Sequence, residues 1–179
     1  MITIKYPAAT VLLDLTANEQ CIEQVALLVM EHNILEIVIQ ELEISFQRRM
    51  PKACADKVYY CRFRDLMIGI ILNLTCNVEN EDVSKYMLKL NVVKMLKQIL
   101  VDSRHDWPTN GAALALLQYS HGALSNTDLF LMLEENKVFD VINDFIPVCK
   151  NKETKRHLYE AITLISMSRT KMASIMTIY

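Results

Sequence analysis

Glycine and proline are scarce in this chain of 179 residues, which contains 3 Gly and 4 Pro. Strand-rich folds need frequent turns built on these two residues, so their scarcity favours helices. The three glycines, Gly69, Gly111 and Gly122, are too far apart to form a phosphate-binding loop, and the GxSxG elbow of hydrolases does not occur.

Long apolar runs and targeting signals are also missing. The longest apolar run, Leu66 to Leu72, is far shorter than the roughly 20 residues that span a bilayer. The start of the chain, Met1 to Pro7, lacks the charged residues and the apolar stretch of a signal peptide. We therefore expect a soluble protein of the cytoplasm, the nucleus or both, with no membrane association.

Charge, cysteine and histidine patterns point to no catalytic chemistry. A net charge of −2 and a pI of about 6.1 give no dominant attraction to nucleic acid. The cysteines form no CxxC pair, and we expect reduced, mostly buried thiols at Cys21, Cys54, Cys61, Cys76 and Cys149. The histidines fit neither HExxH nor zinc-ligand spacing. We expect no metal, no cofactor and no catalytic residue, and hence not an enzyme.

Helical periodicity dominates what the sequence does contain, and the helices recur in sets of three. The first set is predicted as Glu19–Glu31 after the N-cap Asn18, Ile34 to about Phe46 after Asn33, and Cys61–Cys76. The second set is a helix that follows the N-cap Asn80 and ends near Leu90, Val92–Val101 after Asn91, and Pro108 to about Ser120. The third set is Thr127–Glu135, Val138 to about Ile146, and Lys152–Ser168.

The sets align with one another in sequence. The middle helices align at Ile34–Val38, Val92–Leu96 and Val138–Ile142, and the third helices at Leu12–Thr16, Ile71–Thr75, Leu116–Ser120 and Leu164–Ser168. The period is about 45 residues, except for a longer first step that contains a polar insertion at residues 47–60. We predict one domain over residues 1–179: the last helix of a partial repeat at 1–17, repeats at 18–76, 77–122 and 123–168, and a tail at 169–179.

Two short segments resemble known repeats. Asn73-Leu74-Thr75, after Ile70-Ile71-Leu72, resembles the "NLS/NLT" signature of armadillo third helices, and Met30 to Val38 resembles the start of their second helices. Together the repeats cover nearly the whole chain. The resemblance implies an all-α fold, a right-handed α-solenoid of about three armadillo- or HEAT-like repeats, which typically binds proteins along an extended surface.

A narrower similarity covers residues up to about Asn80. The matching residues are Asp14-Leu15-Thr16, Val25-Ala26-Leu27, Glu31, Asn33, Ile37, Ser45, Arg62, Ile68-Gly69-Ile70, Asn73 and Cys76. They resemble the armadillo-like segment of the serum amyloid A-like 1 family. This resemblance implies a nuclear or cytoplasmic protein that is associated with cell proliferation and has no enzymatic activity.

A ladder of short polar residues recurs once in each aligned third helix, at Asp14, Asn73, Gln118 and Ser166. In an armadillo solenoid the third helices line the concave face, so the ladder is predicted to hydrogen-bond an extended peptide. The alternative is that these side chains satisfy local groups or solvent. The importin-α type of groove has Trp four residues earlier, whereas the single Trp107 is predicted in a loop. This difference argues against binding of nuclear-localisation peptides.

A basic segment lies in and after the insertion. Its cationic residues, interleaved with Tyr59, Tyr60 and Phe63, are Arg48, Arg49, Lys52, Lys57, Arg62 and Arg64. It is either a solvated loop and helix start or an electrostatic anchor for an acidic partner or RNA. Because the rest of the chain is mildly acidic, nucleic acid is the less expected partner.

The expected function is that of a non-enzymatic adaptor whose third-helix face binds a protein or an extended peptide. One alternative is an RNA- or chromatin-associated adaptor that uses residues 48–64. The other is a fragment of a larger structural scaffold. Solenoids normally have polar capping units, whereas neither end here looks capped and the tail from Lys171 to Tyr179 is apolar. We therefore expect ends that self-associate or stack on further repeats.

Overall fold

The computed structural model describes residues 2–47, 54–77, 81–102 and 106–176. Those residues form helices and no strand, which confirms the all-α class. The helices are α1 (Ile2–Thr16), α2 (Ile22–Glu31), α3 (Ile34–Gln47), α4 (Cys54–Asn77), α5 (Glu81–Lys89), α6 (Val92–Asp102), α7 (Asp106–Gly122), α8 (Thr127–Glu135), α9 (Val138–Phe145) and α10 (Lys152–Met176). They divide into two compact units, unit 1 at Met1–Val92 and unit 2 at Val93–Tyr179.

Unit 1 is built around α4. Its middle section is apolar nearly all round, and Ile68, Ile70, Ile71 and Leu74 are each at most 1% exposed. Both α1 and α3 pack against α4, and α2 packs against α1, α3, α4 and α5. A helix that is apolar on every side is stable only when neighbours cover every side. This third helix therefore lies in the middle of the core of unit 1.

Unit 2 is built around the pair α7 and α10. Small side chains on α7, Ala112, Ala113 and Ala115, are completely buried. At one end of the pair the Thr154 hydroxyl donates to Asn110 Oδ1 at 3.2 Å. α8 packs on α7 and on α9, and α9 packs on α10. α7 and α10, the two third helices of unit 2, therefore share one core with α8 and α9, which lie between them in the sequence.

Three junctions between helices have the same backbone geometry. Asn33, Asn91 and Lys137 each directly precede a middle helix and have a φ of 53°. In every case the N–H of that residue donates to the carbonyl three residues earlier, and the preceding N–H donates to the carbonyl four residues earlier. Asn33 and Asn91 were predicted as N-caps. Instead, the chain turns at these residues through a left-handed backbone conformation. Asn tolerates this conformation better than most side chains do.

Three helix starts differ from the prediction, and α7, which begins at Asp106 rather than Pro108, differs least. α2 begins at Ile22 rather than Glu19, because Asn18 Oδ1 accepts a hydrogen bond from the Gln20 N–H at 3.0 Å and closes a turn. α4 begins at Cys54, so the second half of the predicted insertion 47–60 is helical. Tertiary contacts favour this extension: the Tyr59 ring packs edge-to-face on Tyr6, with centroids 6.0 Å apart.

Three expectations in the remaining sequence are also corrected. Trp107 lies in the first turn of α7, not in a loop. α10 continues to Met176, well into the predicted tail. Contacts made by that extension support it, because Lys171 Nζ donates to the Leu124 carbonyl at 2.7 Å. Among the cysteines whose burial is described, only Cys149 is buried, whereas those at residues 21 and 61 are partly exposed.

Candidate partner-binding site

The predicted ladder is not uniform along the third helices. Asp14 and Gln118 are exposed. Asn73 is partly buried, and its Nδ2 donates to Thr16 Oγ1 at 3.3 Å. The Ser166 hydroxyl donates to a carbonyl one turn earlier in its own helix at 2.8 Å. Asn73 and Ser166 therefore make hydrogen bonds within their own units, and Asp14 and Gln118 are the two exposed members of the ladder.

A more regular feature lies two residues after each ladder position. The residues there are Thr16, Thr75, Ser120 and Ser168, and each hydroxyl donates to a carbonyl three or four residues earlier at 2.7 to 3.0 Å. Three of these residues, all except Thr75, are at most 1% exposed. A hydroxyl bonded within its own helix can be buried without a partner on another helix. The sequence contains this signal, in the Thr or Ser that ends each aligned segment, but does not reveal its role.

The basic segment is only partly described. Arg48, Arg49 and Lys52 lie outside the described residues. Arg62 is exposed. The guanidinium of Arg64 lies 5.7 Å from the centroid of the Phe46 ring, a cation–π distance, and Arg64 is partly buried. Of the two described arginines, Arg62 is thus the more accessible for an anchoring role, which stays a prediction.

Unit 1 contains an open groove of about 180 Å³ between α1, α3 and α4. Its lining residues are Lys5, Ala8, Ala9, Leu12, Ile37, Val38, Glu41, Phe63 and Met67. All of them except Lys5 and Glu41 are apolar, and Ile37 is 58% exposed. This groove was not predicted from the sequence. The only signal was that Ile37 and Val38 are adjacent apolar residues, which cannot both face the core of one amphipathic helix.

An ion pair links the two walls of this unit 1 groove. Lys5 Nζ on α1 lies 2.5 Å from Glu41 Oε1 on α3, and the two side chains are 39% and 26% exposed. Partial exposure screens the attraction, so the pair stabilises the unit only modestly. Its position defines the chemistry of the groove: an apolar floor with one cation and one anion beside it.

Unit 2 contains a second opening, of about 350 Å³, between α7 and α10. His121 contributes from α7, and Tyr159, Glu160 and Thr163 contribute from α10 together with a leucine. The Tyr159 ring is 56% exposed. Arg156 Nε lies 4.0 Å from the Glu160 carboxylate, so the local charges are mixed. This opening favours no single partner chemistry.

The described residues form neither a metal-ligand cluster nor a membrane-spanning helix. Among them, no group of three or more His, Cys, Asp or Glu side chains is arranged to hold a metal ion. Nor is any helix in the described ranges long and apolar enough to cross a bilayer. Compared with models of protein families, with curated proteins and with solved structures, the chain matches none of them. The interpretation of the grooves therefore rests on their own residues.

Proposed function

We propose that this chain is a non-enzymatic protein-binding module built from about three armadillo-like repeats. Two recurrences support the repeat assignment. The junction residues Asn33, Asn91 and Lys137 share one backbone geometry at aligned positions. The hydroxyls at the ends of the aligned third-helix segments share one hydrogen-bonding pattern. Two independent local features, the junction backbone and the hydroxyl hydrogen bonds, recur at the same period, which favours a common three-helix unit.

The unit 1 groove is the observation that carries the binding function. Apolar side chains that line a concave surface and are exposed at its edge are typical of protein interaction sites. Ile37, 58% exposed, is the most exposed of the large apolar side chains that line the groove, so it has the most apolar surface to bury on binding. The ladder residues Asp14, exposed in unit 1, and Gln118, exposed in unit 2, give each unit a polar position suited to an extended peptide.

Two other assignments from the sequence remain proposals. The similarity to the serum amyloid A-like 1 family supports a cytoplasmic or nuclear protein with a role in cell proliferation. The basic segment supports an RNA- or chromatin-associated adaptor only through its sequence, with Arg62 as its exposed described member. The groove is the more specific feature, so protein binding is the function we favour.

Affinity capture of the full chain from a native extract tests this function. Wild type is compared with Ile37→Lys, which alters the unit 1 groove, and with Gln118→Lys, which alters the ladder face. We expect a defined set of captured proteins, part of which is lost with Ile37→Lys. The same captured set with all three proteins, or none with wild type, would count against binding through the groove.

A further inference from the structure

The junction between α7 and α8 in unit 2 is a short turn with an exposed serine. The Ser125 hydroxyl donates to the Gly122 carbonyl at 3.3 Å, which is long for a hydroxyl hydrogen bond. The backbone N–H groups of Ser125 and Asn126 donate to the same carbonyl at 3.1 and 3.0 Å. Backbone hydrogen bonds therefore define the turn, and the Ser125 hydroxyl adds little to it.

The residues after Ser125 fit the substrate pattern of an acid-directed protein kinase, a hydroxyl residue with an acidic one three positions later. Asp128 is that acidic residue. Kinases select substrates partly by such charge patterns. The same spacing occurs at Thr16 and Ser103, but Thr16 is 0% exposed and Ser103 lies outside the described residues. Among the described residues, Ser125 is thus the exposed hydroxyl with this pattern.

A lysine of α10 lies beside Ser125. Lys171 Nζ donates to the carbonyl oxygen of Leu124, the preceding residue, at 2.7 Å. A carbonyl oxygen lies about 2.8 Å from the next Cα of a trans peptide, so Lys171 Nζ is within about 5.5 Å of the Ser125 Cα. The phosphorus of a phosphorylated serine lies about 3.5 Å from its own Cα. Side-chain rotation alone can therefore bring a phosphate on Ser125 to the ammonium group.

The other charged groups at this junction do not favour a phosphate. Asp128, in the first turn of α8, and His121, in the last turn of α7, are the titratable side chains there, and both are exposed. The carbonyl end of α7 disfavours a negative charge and the N–H end of α8 favours one, so the two helix ends largely offset each other. Lys171 is therefore the group that decides whether a phosphate stabilises the junction.

We propose that Ser125 is a phosphorylation site for an acid-directed serine/threonine kinase, and that the phosphate on Ser125 pairs with Lys171. The kinase transfers the terminal phosphoryl group of ATP: the bond between Ser125 Oγ and phosphorus forms, the bond to the ADP oxygen breaks, and the hydroxyl proton is released. The phosphate carries a charge of about −1.5 to −2 at pH 7. Its charge-assisted hydrogen bond to Lys171 fastens the end of α10 to the α7–α8 junction. This modification is independent of the proposed protein-binding function.

Phosphorylation of the folded full chain tests the acceptor residue. The chain is incubated with ATP and a kinase of the casein kinase 2 class, and phosphorylated residues are identified by mass spectrometry. We expect phosphate on Ser125. Asp128→Asn should lower the initial rate at least about fivefold, whereas Glu135→Gln, at an exposed residue at the other end of α8, should change it less than about twofold. Equal rates for the two variants, or no phosphate on Ser125, would overturn the assignment.

A second measurement tests the pairing with Lys171 without a kinase. Phosphoserine is incorporated at residue 125 during translation by suppression of an amber codon. Hydrogen exchange of the backbone amides of residues 168–174 then reports how firmly the end of α10 is held. We expect this exchange to be at least about threefold slower in the phosphorylated chain than in the unphosphorylated one.

Two lysine variants on α10 locate the partner of the phosphate. Lys171→Met removes the ammonium group at the junction, whereas Lys152→Met removes an exposed one at the start of the helix, about 28 Å away. Phosphorylation should still slow exchange in Lys152→Met. In Lys171→Met it should leave exchange unchanged or make it faster, because Asp128 then repels the phosphate. Lys171→Gln replaces Lys171→Met should circular dichroism show that the latter is unfolded. Equal slowing in both variants, or no slowing in wild type, would overturn the pairing.

Discussion

The side chain of Leu13 on α1 lies over Gly69 on α4: a methyl group added to Gly69 would stand 2.7 Å from Leu13 Cδ1. A branched side chain at residue 69 must displace Leu13. We therefore predict that Gly69→Val lowers the free energy of unfolding by about 2 kcal/mol. In a double-mutant cycle with Leu13→Ala, the two changes should couple by at least about 0.5 kcal/mol in urea denaturation. Strict additivity would show that the two residues do not meet.

Exchanging Asn and Lys between two of the left-handed junctions should change the stability of the protein in opposite directions. Lys137 and Asn33 are both exposed and share a φ of 53°, but Asn adopts this backbone at a lower free energy than Lys. Lys137→Asn should stabilise the protein by about 0.5 kcal/mol, and Asn33→Lys should destabilise it by a similar amount. Thermal unfolding monitored by circular dichroism measures both. Shifts of the same sign in the two variants would contradict the shared geometry.

Arg169 joins α10 to α8 and α9. Its Nε and Nη2 donate to the two carboxylate oxygens of Glu134 at 2.8 and 3.0 Å, and its guanidinium lies 4.2 Å from the Phe139 ring centroid. Lysine cannot reproduce the two-point hydrogen bond or the stacking. Arg169→Lys should therefore lower the free energy of unfolding by about 1 kcal/mol.

Arg156→Lys is the matched control for the Arg169 variant. Its Nε lies 4.0 Å from Glu160, and the two side chains are 64% and 52% exposed. An exposed pair of this length should change stability by less than about 0.5 kcal/mol. The free energies of unfolding of the two variants are compared by urea denaturation at low and at high salt, because urea itself adds no ions. Equal losses in both would mean that the Glu134 and Phe139 contacts contribute nothing specific.

Tyr86 predicts a pH dependence at alkaline pH. Burial raises the pKa of the Tyr86 phenol above its ordinary value of 10.0, and the negative charge of Glu36 raises it further. A raised pKa means that the Tyr86 phenol ionises at a higher pH in the folded protein than in the unfolded chain. The stabilising effect is complete below the unfolded pKa and is lost as the pH rises through the folded pKa. Wild type should therefore lose stability relative to Tyr86→Phe above about pH 10.

Urea denaturation at several pH values measures this difference for wild type and Tyr86→Phe. The Glu36→Gln variant provides the control, because removal of its negative charge should lower the pKa of Tyr86 and reduce the alkaline loss. The other tyrosines ionise equally in all three proteins and cancel from the comparison. A difference between wild type and Tyr86→Phe that stays constant up to about pH 11 would contradict the burial of the phenol.

Much of the fold could be predicted from the sequence, because periodicity reports directly on which side of a helix is buried. α8, for example, was predicted at its observed limits, Thr127–Glu135. Boundaries were less predictable where tertiary contacts decide them. The start of α4 depends on rings such as Tyr59 meeting Tyr6, and no local pattern specifies a contact between residues so distant in sequence.

The candidate site was harder to predict than the fold. The ladder was identified from repeat alignment, but alignment does not show that Asn73 would donate to Thr16 whereas Gln118 would face solvent. The unit 1 groove was missed for a related reason. Ala8 and Ala112 occupy equivalent positions in the aligned helices, but Ala112 is completely buried whereas Ala8 is exposed, a difference that the alignment does not show.

Site-specific photo-crosslinking tests most directly the central claim that the unit 1 groove binds another protein. A benzophenone amino acid is placed at residue 37, at the groove, or at residue 131, where Leu131 is similarly exposed at 47% on α8. We predict a crosslinked partner protein from residue 37 and no such product from residue 131. The same products from both positions, or none from residue 37, would contradict the claim.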